Sequence, residues 1–420
     1  MKLFNHQETM LERFVKQPYC INGSEAGTGK TYPAIKFFED HLAGQKGVVF
    51  APAFLTRNWA YEIDKVSKLT WRIFEGQQII NEDVDVMIIP YSRLLSAKDK
   101  IQRYMLKLDV KAIVADESHY LNNPKAKRTK AFHSLIKATQ VKHLKLMSGT
   151  QMRNKIPELW SSLVLMDYHY KLGFIDKYPT QFYFSEHFCN VEELNFGGNR
   201  IRKYSGIVNR PELAIWLKPY YFRFKLSDVQ DLPELTHSKS YCSADFAVDI
   251  DRELRKAWEE GLGSEHIARV KATNAEVKMK HTANVIKHEM EAGNGPLVVF
   301  SDHVKPMKTF KLKGYKIANI TGSTPMIERE RIVREFQAGR LDILLGTIGA
   351  MGTGITLTRA SVAIFNDYSW VPADNMQAEK RIHRMSQERA CRIITVVRPG
   401  IDNLIIDSLQ KKMKIINQIL

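Results

Sequence analysis

At 420 residues the chain is too long for one small core and suits two domains, three at most. Its 44% hydrophobic and 26% charged make-up is that of an ordinary soluble globular protein, and no stretch approaches the roughly 18 unbroken apolar residues that a helical membrane span needs. A formal net charge of +16 points to a polyanionic partner, since each neutralised phosphate releases counterions; a basic surface that only aids solubility is the alternative.

The first residues, MKLFNHQETMLERF, are amphipathic and acidic enough to read as a folded helix rather than a signal peptide. The expected location is therefore cytoplasmic, with no secretion and no membrane partner. Cys20, Cys189, Cys242 and Cys391 are widely spaced, which suits a reducing compartment and argues against disulfides, a zinc site or any metal cluster.

From the start to residue 165, short apolar strands alternate with helical stretches. The expected strands are Tyr19–Asn22, Gly47–Ala51, Val84–Ile89, Ala112–Ala115 and Leu144–Met147, with helices Lys30–Leu42, Thr56–Leu69 and Lys127–Ala138. Continuous apolar runs of this kind are those of buried parallel strands, so an α/β fold is expected. Residues 166–245 break the rhythm with aromatics (Tyr168, Tyr170, Phe174, Tyr178, Phe182, Tyr183, Phe184, Phe188) and read as a helical extension and bridge, its aromatics mostly core. Residues 246–292 are charged and helical in period, with Gly261, Gly263 and Gly293–Gly295 as punctuation, and are expected to be a linker or hinge. Alternation resumes over 293–420: strands Leu297–Phe300, Lys316–Ile320, Ile343–Leu345, Val362–Phe365 and Arg392–Val397, helices Ile327–Phe336, Asp374–Arg384 and Ile401–Ile419. The chain thus holds two α/β units of similar character.

Two motifs carry chemistry. Ser24-Glu25-Ala26-Gly27-Thr28-Gly29-Lys30-Thr31 follows the first strand and opens a helix. It fits a phosphate-binding loop except at Ser24, where the pattern has glycine. Glycines let backbone N–H groups wrap phosphates, Lys30 is placed to reach the terminal phosphates, and Thr31 can ligate magnesium. About 85 residues later the apolar run Lys111–Ala115 leads into Asp116-Glu117-Ser118-His119. A carboxylate at the C-terminal end of a buried strand sits where α/β sheets bind ligands. Asp116 is expected to hold magnesium, and Glu117 to orient and deprotonate the attacking water.

With these in place the chain resembles the superfamily-two helicases, most closely the Swi/Snf-type branch, over blocks running from Gln7 to Gln387. Gln7 matches the glutamine that reads adenine. Val48-Val49-Phe50-Ala51-Pro52 with Leu55 and Trp59 resembles the first DNA-contacting block, and Pro90-Tyr91 the next. Ser148-Gly149-Thr150, then Asn154, Glu158, Leu159 and Trp160, resembles the coupling block. Tyr221–Pro233 resembles the bridge between lobes. In the second half, Val298–Ser301, Ile320-Thr321-Gly322 with Arg329, and Gly346-Thr347 through Gly349, Gly352, Gly354 and Leu357-Thr358 follow the family order. Gln377-Ala378-Glu379-Lys380-Arg381-Ile382-His383-Arg384-Met385-Ser386-Gln387 is similar to the branch's arginine element. Gln151 stands where the family has proline, which implies a looser turn. Ser118 stands where it has alanine.

The resemblance implies two RecA-like parallel-sheet lobes in tandem, an ATP cleft between them and a mixed-helical insertion after the first. The implied cofactors are ATP and Mg. Gln7, Gly27, Thr28, Gly29, Lys30, Thr31, Gly352 and Gly354 are the nucleotide-binding set. Lys30, Asp116, Glu117, Arg381 and Arg384 are the catalytic set, the two arginines three apart on a helix and acting as arginine fingers. Arg57, Asn58, Thr347 and Thr358 are implied nucleic-acid contacts, and Ser148, Gly149, Thr150 and Gln377 coupling residues. The expected function is a monomeric, sequence-independent DNA-dependent ATPase that translocates on double-stranded or branched DNA. A strand-separating or branch-migrating helicase, an RNA-dependent ATPase and an inactive nucleic-acid-binding scaffold are the alternatives. With no appended module, a bare motor core suits a bacterial or viral genome better than a chromatin role.

Overall fold

A computed structural model describes residues 3–42, 44–76, 83–196, 199–229, 232–242, 264–352, 354–384 and 386–419. The chain divides into two compact units. The first comprises Met1–Glu192, Lys203–Val229 and Ile415–Leu420, and the second Glu193–Arg202 and Gln230–Lys414.

The first unit is built on a seven-stranded sheet. In chain order its strands are β1 (Tyr19–Asn22), β2 (Gly47–Ala51), β3 (Trp71–Ile73), β4 (Val86–Pro90), β5 (Ala112–Asp116), β6 (His143–Met147) and, past an insertion, β9 (Tyr221–Phe222). Their spatial order is β3-β4-β2-β5-β6-β1-β9, with every pair parallel. A parallel sheet is covered on both faces, which is why its strands lack polar alternation. On β5, Ile113 and Ala115 enter one apolar cluster while Ala112 and Val114 enter another. Lys145 on β6 is buried among them, and its ammonium donates to the carbonyls of Gln17 and Pro18, tying the helix Asn5–Lys16 to the sheet.

The expected helix Lys30–Leu42 is α-helical only over Thr31–Lys36 and continues as a π-turn, Phe37–His41. The expected helices beginning at Thr56 and Lys127 run Thr56–Val66 and Lys127–Thr139. In the aromatic segment Phe174, Tyr178, Phe184 and Phe188 join the core, while Phe182 and Tyr183 are exposed. The strands β7 (Asn190–Phe196) and β8 (Asn199–Ser205) form a two-stranded sheet.

The second unit carries a six-stranded sheet of β10 (Leu235–Tyr241), β11 (Leu297–Ser301), β12 (Ile317–Ile320), β13 (Ile343–Thr347), β14 (Val362–Phe365) and β15 (Cys391–Val397). Its order is β10-β15-β14-β11-β13-β12, again all parallel. Within the stretch expected to be a hinge, residues 264–291 form one helix of 28 residues, Ser264–Glu291. Asn274, Lys278 and Thr282 on it are buried, bonded to Asp402, to the Val396 carbonyl and to Asn366. It is an integral layer of this unit; Gly261 and Gly263 lie outside the described residues. Among the described residues no helix is long and apolar enough to cross a membrane, and all four cysteines are buried and free.

Candidate nucleotide and phosphoryl-transfer site

Three adjacent strands, β5-β6-β1, end at one edge of the first sheet. They deliver, respectively, the acidic box, Ser148-Gly149-Thr150 and the glycine-rich loop. Gly27 and Gly29 have φ of +93° and +72°, and a side chain at Gly29 has no room, since its Cβ would stand 2.4 Å from Gln7 Nε2. Lys30 Nζ donates to the carbonyls of Ser24 (2.7 Å) and Glu25 (2.9 Å), so the ammonium lies over the loop. Ser24 fits in place of glycine because its buried hydroxyl accepts the Phe224 N–H (3.0 Å).

Gln7 is buried. Its Oε1 accepts the Phe4 N–H (3.0 Å) and its Nε2 donates to the Gly29 carbonyl (3.2 Å), fastening the first helix to the loop. From the other side the segment expected to bridge the lobes buttresses the loop through its first half. β9 pairs with β1, Arg223 meets Glu25 at 3.1 Å, and Leu226 packs over Gly27. The division between units falls within this segment, after Val229.

At the end of β5, Asp116 Oδ2 accepts the Trp59 indole N–H (2.9 Å), Oδ1 accepts the Glu117 N–H (2.9 Å), and its carbonyl accepts the Tyr91 hydroxyl (2.9 Å). Trp59 is itself buried, and its indole supports the acidic box. Burial pushes the Asp116 carboxyl up to about 6 and Glu117 adds to the rise, against the Trp59 bond and Lys30. A buried carboxylate with a second beside it favours a cation. Together with the glycine-rich loop and the neighbouring Thr31, this donor set fits a metal–nucleotide complex.

Glu117 is held in the left-handed region at φ +49°, a conformation that costs a non-glycine residue on the order of 1 kcal/mol and collects at functional sites. Its Oε2 lies 3.1 Å from His119 Nδ1 and accepts the Ser148 hydroxyl at 3.3 Å; His119 Nδ1 and Ser148 Oγ are 2.9 Å apart. Ser148 Oγ also accepts the Thr150 N–H (3.2 Å). Gly149 packs so closely on the glycine-rich loop that a Cβ would stand 2.7 Å from the Ala26 nitrogen. Three of the four expected coupling residues, Ser148, Gly149 and Thr150, therefore between them touch both phosphate loop and acidic box. Glu158 caps the turn beyond, accepting the Arg153 and Asn154 N–H groups at 2.7 and 3.1 Å.

The turn at Gln151 is not loose, as its replacement of proline implied. Its Oε1 accepts the Ser118 hydroxyl (2.9 Å), its Nε2 donates to Ser162 Oγ (2.6 Å), and its carbonyl accepts Asn122 Nδ2 (2.7 Å), all of them buried.

Arg57 and Asn58 are exposed at the start of the helix Thr56–Val66. The remaining expected residues lie in the second unit. Thr347 ends β13, and a short helix, Ile348–Met351, leads to Gly352 and to Gly354 at φ +74°. The helix expected to reach Arg384 ends at Glu379, so the arginines are not helical neighbours. The Arg381 carbonyl instead accepts the Leu357 N–H (2.9 Å), drawing the chain onto the glycine-rich segment. Arg381 is buried, with Nε on the Gln377 carbonyl (2.9 Å) and NH1 on that of Ile355 (3.1 Å); Arg384 NH1 donates to Thr356 Oγ1 (2.8 Å). Gln387 clamps the same segment, its Nε2 on the carbonyls of Thr358, Ala360 and Ile382. The arginine element and the glycine-rich block thus form one cluster inside this unit.

Sequence reading did not foresee Trp59 and Tyr91 as ligands of Asp116, nor Arg223 and Glu25 as a brace for the loop. Nothing in the local sequence around Trp59, Tyr91, Arg223 or Glu25 marks these contacts, which span 25 to 198 positions.

The family model for an SNF2-related domain matches residues 6–294, and that for a helicase conserved C-terminal domain matches residues 278–386. Among relatives, a Drosophila melanogaster protein named SWI/SNF-related matrix-associated actin-dependent regulator of chromatin subfamily A-like protein 1 is 26% identical over 94% of this chain and 53% of its own length. DNA annealing helicase and endonuclease ZRANB3 of Mus musculus is 24% identical over 94% of this chain and 38% of its own. ATP-dependent DNA helicase DDM1 of Arabidopsis thaliana is 25% identical over 88% and 55%. This chain spans about half the length of such relatives. A solved structure of the Sulfolobus solfataricus SWI2/SNF2 ATPase core in complex with dsDNA aligns over 99% of this chain and 92% of that one, at 21% identity and a TM-score of 0.43. With a matching domain model over more than half its length, the chain belongs to the SNF2-related family.

Proposed function

We propose that this protein is an ATP hydrolase driven by DNA, which translocates on duplex or branched DNA without reading its sequence. The observation that carries the reading is the convergence of loop, acidic box and Ser148-Gly149-Thr150 at the ends of three adjacent strands of one sheet. Gly27, Thr28, Gly29, Lys30 and Thr31 hold the phosphates of ATP, and Thr31 and Asp116 hold Mg, which supplies charge neutralisation to the phosphoryl group. Gln7, already tied to Gly29, carries its amide beside the loop for the base. Glu117 takes the proton of the attacking water, and the contact of its carboxylate with His119 and Ser148 orients it. Arg381 and Arg384 act as arginine fingers, with Gly352 and Gly354 completing the nucleotide set, the parts their motifs play in the family. Gln377, whose carbonyl holds Arg381, is a coupling residue.

DNA is held mainly through phosphates, by Arg57 and Asn58 of the first unit and Thr347 and Thr358 of the second. Such contacts carry no sequence information and weaken with salt, as the +16 charge also implies. The name of one relative, a DNA annealing helicase and endonuclease, supports work on annealing strands as one form of this activity. The chain is proposed to act as a monomer in the cytoplasm.

The test is ATP hydrolysis by wild type and Glu117→Gln, each with and without duplex DNA. Stimulation by DNA in wild type, and a loss of about 100-fold or more in the variant, is expected. Equal wild-type rates with and without DNA overturn the motor reading.

A further inference from the structure

The acidic box is stapled to the loop after β6 at two levels. The outer one is Glu117 and His119 against Ser148 and Thr150. The inner one is Ser118 Oγ to Gln151 Oε1, Gln151 Nε2 to Ser162 Oγ, Asn122 Nδ2 to the Gln151 carbonyl, and Ser161 Oγ to the Leu121 carbonyl at 2.6 Å. Ser118 and Ser161 are fully buried, and Gln151 and Ser162 nearly so.

We propose that Gln151 is the positioning residue that fixes the presentation of Glu117, acting through Ser118. This role rests on Glu117 being the general base of the proposed function and lies one step behind it. Glu117 occupies a backbone conformation that a non-glycine residue leaves unless its neighbours hold it. Ser118, the next residue, has its side chain drawn into the core by a single acceptor, the Gln151 amide oxygen. With Ser118 anchored inward, the turn is pinned between Glu117 and His119, the two residues whose side chains meet at Ser148. The amide cannot rotate away, since its nitrogen is committed to Ser162 on the helix Leu159–Tyr170 and its own backbone to Asn122. A half-satisfied buried amide is unfavourable, so cutting one bond of the network loosens the others. Ser118 and Gln151 bond to each other, so they form one device.

The experiment measures kcat and KM for ATP, with saturating duplex DNA, for wild type, Ser118→Ala, Gln151→Met and the double variant, with circular dichroism and Tm alongside. Methionine keeps the length of glutamine without its amide. Each single variant is expected to lower kcat about tenfold with KM within about twofold, because small displacements of a reacting group cost rate rather than binding. The double variant is expected to lose no more than the worse single, since both partners of one bond are gone. Single variants that retain kcat within twofold, or losses that multiply in the double, overturn the proposal. A lowered Tm with kcat unchanged also overturns it, leaving the network merely structural. Should Gln151→Met fail to fold, Ser162→Ala cuts the network at its far end; a fall in kcat of about threefold is expected, and no fall refutes the inference. If wild type itself shows no DNA-stimulated hydrolysis, it is the motor reading that fails, which separates the two outcomes.

Discussion

Asp402 stands in the first turn of the C-terminal helix Ile401–Ile419 and is nearly buried. Its carboxylate accepts the Lys278 ammonium at 2.7 Å, Asn274 Nδ2 at 2.9 Å and the Arg398 N–H at 2.7 Å. The Lys278 side chain is 1% exposed and has one other partner, the Val396 carbonyl at 2.9 Å. Asp402→Ala therefore leaves a cation in the interior on a single neutral acceptor, together with a backbone N–H and an amide without partners. Breaking a buried pair from one side costs about 3–5 kcal/mol, most of it the stranded charge. For a unit of this size that is a fall in Tm of roughly 10 °C. The double variant Lys278→Met/Asp402→Leu, with no charge left to strand, is expected to recover most of the loss. Denaturant unfolding followed by circular dichroism gives the free energy. Hydrogen exchange of Ser264–Glu291 assigns it, because the helix carrying Lys278 should lose protection first. A cost below about 1 kcal/mol for Asp402→Ala, or a double variant no better than the single, refutes the reasoning.

Gly29→Ala places a Cβ 2.4 Å from Gln7 Nε2 at a φ of +72°, so the buried Gln7 amide has to give up its bonds to Phe4 and Gly29. A loss of about 2 kcal/mol in stability and at least about tenfold in nucleotide affinity is expected by fluorescent-nucleotide titration; unchanged affinity would show that the loop tolerates a side chain there. Burial pushes His133 down to about 4, with Lys137 adding to the effect, while its ring bonds to the Tyr168 hydroxyl and Ser161 Oγ. The unfolded chain takes up this proton below about pH 6.5 and the folded one only near 4, so stability present above 6.5 is lost as pH falls through that window, by at most about 3 kcal/mol. His133→Gln should flatten this part of the pH–stability curve, and an unaltered slope would exclude His133 as its source.

What was legible beforehand was whatever leaves a local pattern. Buried parallel strands are continuous apolar runs, so β1, β2 and β14 have the expected bounds and the other expected strands lie within a few residues of them; β3 was not expected, and β7 to β10 lie where a helical extension was read, because they are short or polar and lack such a run. A phosphate loop needs glycine and lysine within a few residues, so Gly27, Gly29 and Lys30 announce themselves, as do Asp116 and Glu117 after an apolar run. The helix expected over Asp374–Arg384 stops at Glu379, although helical period continues in the sequence beyond it. The chain is drawn off by a bond from Leu357, far away in sequence.

Tertiary structure alone decided the rest. Trp59 reaches Asp116 across 57 positions, Arg223 reaches Glu25 across 198, and Lys278 reaches Asp402 across 124. None of these spacings has a helical or strand period, so no pattern in the chain predicts them. In the sequence, Ser118 and Gln151 read as separate changes, the second one loosening its turn. They become a bonded, buried pair once β5 and β6 lie side by side in register, which brings Asp116 opposite Met147 and the loops that follow into contact. The sequence by itself determined which chemistry the chain carries and on which strand ends. The packing determined which side chains hold that chemistry in place, because a hydrogen bond is decided by position in space and only rarely by position along the chain.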